Sequence, residues 1–249
     1  MPVPTMRTLL VINPNTSTSV TALLRGAVQA EAGSAVNVQA YTARFGAPYI
    51  SSEASYAVAN HTVLDTWAFA RAQGIAPQAV LIGCFGDPGL FALREGAGVP
   101  VSGLAEAAFD AAARHGRFAV VTGGERWKPM LERLAGALGH GAALAGVHTV
   151  APTGAQLAAD PAAARALLAE ACREAAQRFR ADAVILGGAG LAGMGADIAA
   201  SVPVPLIDSV QAGARWAVDA MNRTAYASVA APGFGVPWQN VSWELEALS

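Results

Sequence analysis

The chain has 249 residues, is 53% hydrophobic and 14% charged, and carries a net charge of −2 and two cysteines. That length can hold one large domain or two small lobes. The near-neutral balance excludes the basic field that nucleic acid or an anionic membrane would need, and two cysteines without a CxxC spacing exclude a disulfide framework.

In chain order, MPVPTMRTLLVINPN opens with an apolar run too short to span a membrane. It lacks the long apolar stretch and cleavage site of a secretory leader, so a cytoplasmic protein is expected. Strands are expected over 7–12, 36–40, 79–83, 117–121, 144–150 and 183–187. Ala-rich helices are expected over 17–32, 53–74, 88–96, 103–115, 125–138, 161–180 and 208–221. Such alternation builds parallel sheets with crossover helices.

The chain nearly repeats itself. AVLIGCFGDPGL (79–90) returns as AVILGGAGLAGM (183–194), RTLLVINPNTS (7–17) as RFAVVTGGERW (117–127), and GVPVSGL (98–104) as SVPVPLI (201–207). A long period present twice implies an α/β fold of two pseudosymmetric Rossmann-like lobes, with parallel sheets and a crevice between them. Lobe 1 is expected over 1–100 plus 208–249 and carries Cys84; lobe 2 is expected over 101–207 and carries Gly188.

Cys84 follows directly on a strand, and Phe85-Gly86-Asp87-Pro88-Gly89 follows it. Asp87 and Pro88 suit the N-cap and first position of a helix. A helix start beside the thiol would lower its pKa and make it a base or nucleophile. Cys172 sits among apolar residues at helical spacing and reads as core. Asn13, at the end of the first strand, can bind a ligand or cap the next helix. Thr122, Gly123, Gly124 and Glu125 end the matching strand, where glycines let backbone N–H groups approach an anion. Gly188, Ala189 and Gly190 form a third small-residue loop that offers backbone donors.

His61, His115, His140 and His148 form no metal-binding spacing, so no metal is expected. His61 and Glu53 share one expected helix and read as surface residues. No GK[ST] follows the Gly123-Gly124 loop, no GxSxG occurs, and no GxGxxG stands in its strand-to-helix context.

With VINPNTS (11–17), Gly46-Ala47-Pro48-Tyr49-Ile50, GCFGDPGL (83–90), RFAVVT (117–122), LGGAGLAGM (186–194) and VPLIDSV (204–210), the chain resembles the aspartate/glutamate racemase superfamily. It is most similar to the hydantoin and allantoin racemase branch. The resemblance implies a cofactor-free site between two lobes, a small cyclic ureide or thioureide as substrate, and a homo-oligomer. It places Tyr49, Ile50 and Phe85 beside the substrate. In that family two cysteines face each other across the ring, one removing a proton and the other returning one to the opposite face. Cys84 matches the first, and Gly188 stands where the second belongs.

A one-thiol member points to chemistry other than racemisation. The expectation is desulfhydration of a thiohydantoin propionate, with Cys84 acting at the thiocarbonyl and water completing hydrolysis. The alternative is a hydantoin or allantoin racemase in which water or Glu125 replaces the second cysteine. A decarboxylase with one-sided protonation and a non-catalytic ligand sensor stand behind these two.

Overall fold

The computed structural model describes residues 6–152, 154–223 and 234–248. The first half runs β1 (Arg7–Asn13), α1 (Thr18–Ala32), β2 (Val36–Thr42), α2 (Glu53–Ala72), β3 (Ala79–Ile82), α3 (Leu90–Gly96), β4 (Val101–Gly103) and α4 (Leu104–Ala113). The second runs β5 (Phe118–Gly123), α5 (Trp127–Ala137), β6 (Leu144–Val150), α6 (Gly154–Ala159), α7 (Pro161–Phe179), β7 (Ala183–Gly187), α8 (Met194–Ile198) and β8 (Leu206–Asp208). After these come α9 (Ser209–Asn222) and α10 (Trp243–Glu246).

The strands form two four-stranded sheets of the same order, β2-β1-β3-β4 and β6-β5-β7-β8. Every pairing is parallel. Apolar strands with helices on both faces need no polar side, which explains the fully buried AVLI of β3 and AVILG of β7. Along β1 the side chains alternate between two cores. Leu9 and Val11 enter a central cluster, whereas Leu10 and Ile12 pack on the outer side with Val63, Trp67 and Ile82. In β5, Phe118 and Val120 join the central cluster, and Ala119 and Val121 face α7 residues such as Leu168 and Cys172. The central cluster therefore joins the halves. Phe85 meets Phe109 edge-on at 6.1 Å, and Phe109 stacks on Phe118 at 5.4 Å.

The structure departs from the sequence reading in several places. The division at residue 100 cuts the first sheet short, because β4 pairs with β3 through Val101, Ser102 and Gly103. The helix expected from 88 begins at Leu90, and Gly89 rather than Asp87 stands at its N-cap. The three-residue strands β4 and β8 and the short helices α6, α8 and α10 were too brief to show a period. Among the described residues, no helix is long and apolar enough to cross a membrane.

Candidate functional site

The C-terminal ends of the central strands converge on one cavity of about 230 Å³. β3 is followed by Gly83, Cys84 and Phe85; β5 ends in Thr122 and Gly123; β7 ends in Gly187 and is followed by Gly188, Ala189 and Gly190. Pro48, Tyr49 and Ile50 reach the same space from the segment between β2 and α2. Tyr49 crosses between the halves, its hydroxyl donating to the Gly123 carbonyl at 3.2 Å. Nearby, Tyr56 meets Trp127 edge-on at 6.3 Å. Phe85 lies over Gly187 so closely that a Cβ there would overlap its ring.

Cys84 lies in a turn and is 7% exposed. Burial pushes its thiol well above the usual range, and the Asp87 carboxylate pushes it further. The expected acidification by a helix start is absent, because α3 begins six residues on. Cys84 is thus a neutral thiol at rest. Asp87 is 2% exposed, and its pKa is pushed up to about 7 by burial, with a smaller push from Glu106. Its carboxylate accepts from the N–H groups of Ala105 at 2.8 Å and Glu106 at 2.7 Å. It therefore caps α4 rather than α3. The Tyr56 phenol donates to the Gly86 carbonyl at 2.7 Å, and burial pushes its pKa up.

Gly188 has φ 151°, a backbone conformation that side-chain-bearing residues rarely adopt. Its N–H donates to the Ser209 hydroxyl at 3.2 Å. A Cβ there would press on Leu191 at 3.3 Å.

Cys84, Tyr49, Ile50, Phe85, Thr122, Gly123, Gly188, Ala189 and Gly190 thus share one cavity wall. Three sequence candidates lie outside it. Asn13 is fully buried behind the wall, its amide within reach of Asn15, the Ser17 carbonyl and the Thr21 hydroxyl, so it shapes the loop instead of facing the cavity. Gly124 donates its N–H to the Val150 carbonyl. Glu125 is solvent-exposed, as its place at the start of a helical turn allows. Glu53 and His61 are also exposed; Glu53 pairs with Arg133 across the halves, and His61 meets Phe45 edge-on.

The sequence reading missed Asn15, Ser17, Ser19, Val20, Leu23, Trp127 and Leu191 in the wall. Asn15 stood in the quoted Asn-Pro-Asn and Trp127 ended the quoted GGERW, so position beside a strand end was the available signal. The described wall holds no Asp, Glu, Lys, Arg or His; Cys84 and Tyr49 are its ionisable side chains. Among the described residues, no three His, Cys, Asp or Glu gather as a metal site.

Residues 9–217 match the model of the Asp/Glu/Hydantoin racemase family. The chain is 32% identical over 208 residues to a hydantoin racemase of Pseudomonas sp. (strain NS671), covering 83% of each chain. It is 31% identical over 210 residues to a hydantoin racemase of Paenarthrobacter aurescens, covering 84% of this chain and 89% of that one. The solved allantoin racemase from Klebsiella pneumoniae superposes with a TM-score of 0.84 at 29% identity, over 97% of this chain and 98% of that one.

Proposed function

The chain belongs to the Asp/Glu/hydantoin racemase family, and from that premise we propose that it is an isomerase acting on a neutral hydantoin-like ring. Cys84 moves the proton on one face of the ring carbon, and water serves the face over Gly188. The observation that carries this reading is the composition of the wall among the described residues: one thiol, one phenol and no charged side chain. A free amino acid or a dicarboxylate entering this cavity would meet no charged side chain among the described residues, and its ions would have backbone and uncharged polar groups alone to offset a desolvation cost on the order of several kcal/mol per ion. A cyclic ureide carries no such charge and offers N–H and C=O groups to backbone and hydroxyl partners. The names of the relatives, hydantoin racemase and allantoin racemase, point to the same ring class.

Inversion at carbon needs a base on one face of the planar carbanion and an acid on the other. Cys84 supplies one of these. Glu125 does not supply the other, because it is exposed and outside the wall. Water is the proton carrier that the remaining space over Gly188 can admit. Because Cys84 rests as a thiol, turnover rises with pH towards an ionisation above the ordinary thiol value of about 8.5.

The wall also weighs against desulfhydration of a thiohydantoin propionate, since the propionate carboxylate would find no cation among its described residues. The test is to incubate single enantiomers of a 5-substituted hydantoin with the protein and follow optical rotation. Rotation is expected to decay, and Cys84→Ala to stop the decay. Sulfide release from a thiohydantoin propionate, with rotation of every hydantoin unchanged, would overturn the reading.

A further inference from the structure

The two halves cap equivalent helices with carboxylates from different places. The sheet registers set Val80, Leu81 and Ile82 against Val101, Ser102 and Gly103, and Val184, Ile185 and Leu186 against Leu206, Ile207 and Asp208. Gly103 and Asp208 are therefore counterparts, each at the N-cap of the helix that follows. In the second half Asp208 caps its own helix, accepting from the N–H groups of Val210 at 2.9 Å and Gln211 at 3.2 Å. In the first half the counterpart N–H groups, on Ala105 and Glu106, are taken by Asp87 from the loop that carries Cys84.

The site is built for this arrangement. A Cβ on Gly103 would overlap the Asp87 carboxyl, so the absent side chain makes the room. Asp87 itself is held at φ 50°, which a non-glycine residue adopts only when its surroundings demand it. The same loop is held twice more by α2, through Tyr56 to the Gly86 carbonyl and through the Gly89 N–H to the Asn60 side chain at 2.6 Å. The charged and titratable groups facing Asp87 and Cys84 are Tyr56 from α2 and Glu106 from α4, the latter paired with Arg94 from α3.

We propose that Asp87 is a positioning residue for Cys84: its carboxylate ties the Cys84 loop to the N-terminus of α4 and so fixes the thiol in the cavity wall. The role rests on the reading of Cys84 as the reacting group. One carboxylate thereby joins two tasks, stabilising α4 and locating the thiol.

The test moves the second half's arrangement into the first. In the double variant Asp87→Gly with Gly103→Asp, the cap comes from the strand end, as at Asp208, and the Cys84 loop loses its tie to α4 while keeping those to α2. Asp87→Asn is measured beside it. Each full-length variant is assayed for Tm, for kcat and KM on a hydantoin, and for the rate of Cys84 alkylation by iodoacetamide at pH 8, read by peptide mass. Both variants should lose at least about tenfold in kcat with KM within about threefold, since small misplacement of a reacting group is enough for that. Both should alkylate Cys84 at least about fivefold faster. The double variant should regain most of the Tm that Asp87→Asn loses. Recovery of kcat and of the wild-type alkylation rate together with Tm would overturn the proposal and leave Asp87 as a helix cap alone. The alkylation arm decides the matter even if no hydantoin is turned over, so failure of the substrate reading stays distinct from failure of this one.

Discussion

The strand ends at Cys84 and Gly188 occupy matching places in two sheets of identical order, yet they are built differently. The Cys84 loop is fastened to α2 and α4 at three points. The Gly188 loop is held through Ser209 and, further on, by Asp208, which accepts from the Gly193 N–H at 3.2 Å. The backbone differs as well, since Gly188 has φ 151° and Cys84 is not among the positive-φ residues. The difference between the two strand ends is therefore more than one sulfur: at Gly188 the chain takes a path that suits glycine. One half of the repeated fold sets a buried thiol in the cavity wall, and the other sets a glycine there.

The sharpest way to break this contrast is to remove the thiol. Cys84→Ala should lower the rate of hydantoin inversion by about 10²–10⁴-fold, the range for a positioned acid or base, while calorimetry still detects ring binding. A variant that keeps more than a tenth of the rate would move the chemistry elsewhere in the cavity.

The buried carboxylate on the Cys84 loop gives a second test. Asp87 holds its proton up to about pH 7, whereas in the unfolded chain it loses it near 4. Between those values the unfolded state binds fewer protons, so this group makes stability fall as pH rises from about 4 to about 7. Relative to Asp87→Asn, the wild type should lose on the order of a few kcal/mol across that window, measured as urea midpoints. A flat difference, or one of opposite sign, would contradict a buried Asp87 that holds its proton.

Putting a thiol back at the other end should be harder than the alignment suggests. Gly188→Cys meets Leu191 and an unfavourable backbone angle, and should cost about 1–3 kcal/mol, or roughly 2–10 °C in Tm. Inversion should not exceed the wild-type rate. A variant of wild-type stability that inverts faster would show that the sulfur was the whole difference. Smaller still, Tyr49→Phe removes the bond to Gly123 between the halves and should cost about 1 kcal/mol, seen as a modest Tm loss with Cys84 alkylation unchanged.

Much of this was legible in the chain. β3 and β7 start where their apolar runs start, because fully buried parallel strands write themselves as near-continuous apolar runs. The small-residue loops pointed to the cavity because they follow those strands. What escaped depends on contacts far apart in sequence. Asp87 looked like a local cap, but its partners lie 18 and 19 residues on. GVPVSGL and SVPVPLI align in sequence two residues away from the register the sheets adopt, which hid the match of Gly103 to Asp208. The direction of the Cys84 shift came out reversed, because a strand-end position does not reveal how deeply a thiol is buried. Asn13 and Asn15 were indistinguishable as letters, although one holds the loop and the other lines the wall.

Inversion alone cannot separate the two faces, since enantiomers have equal free energies and their kcat/KM values must match in both directions. Isotope exchange can. Each enantiomer of a 5-substituted hydantoin is incubated with the protein in heavy water, and deuterium at the ring carbon of the unreacted enantiomer is followed beside inversion. If Cys84 serves one face and water the other, one enantiomer should gain deuterium with retention at least about tenfold faster than it inverts, while the other gains little before inverting. Equal exchange of both enantiomers would contradict the one-thiol account and require a second protein acid over Gly188.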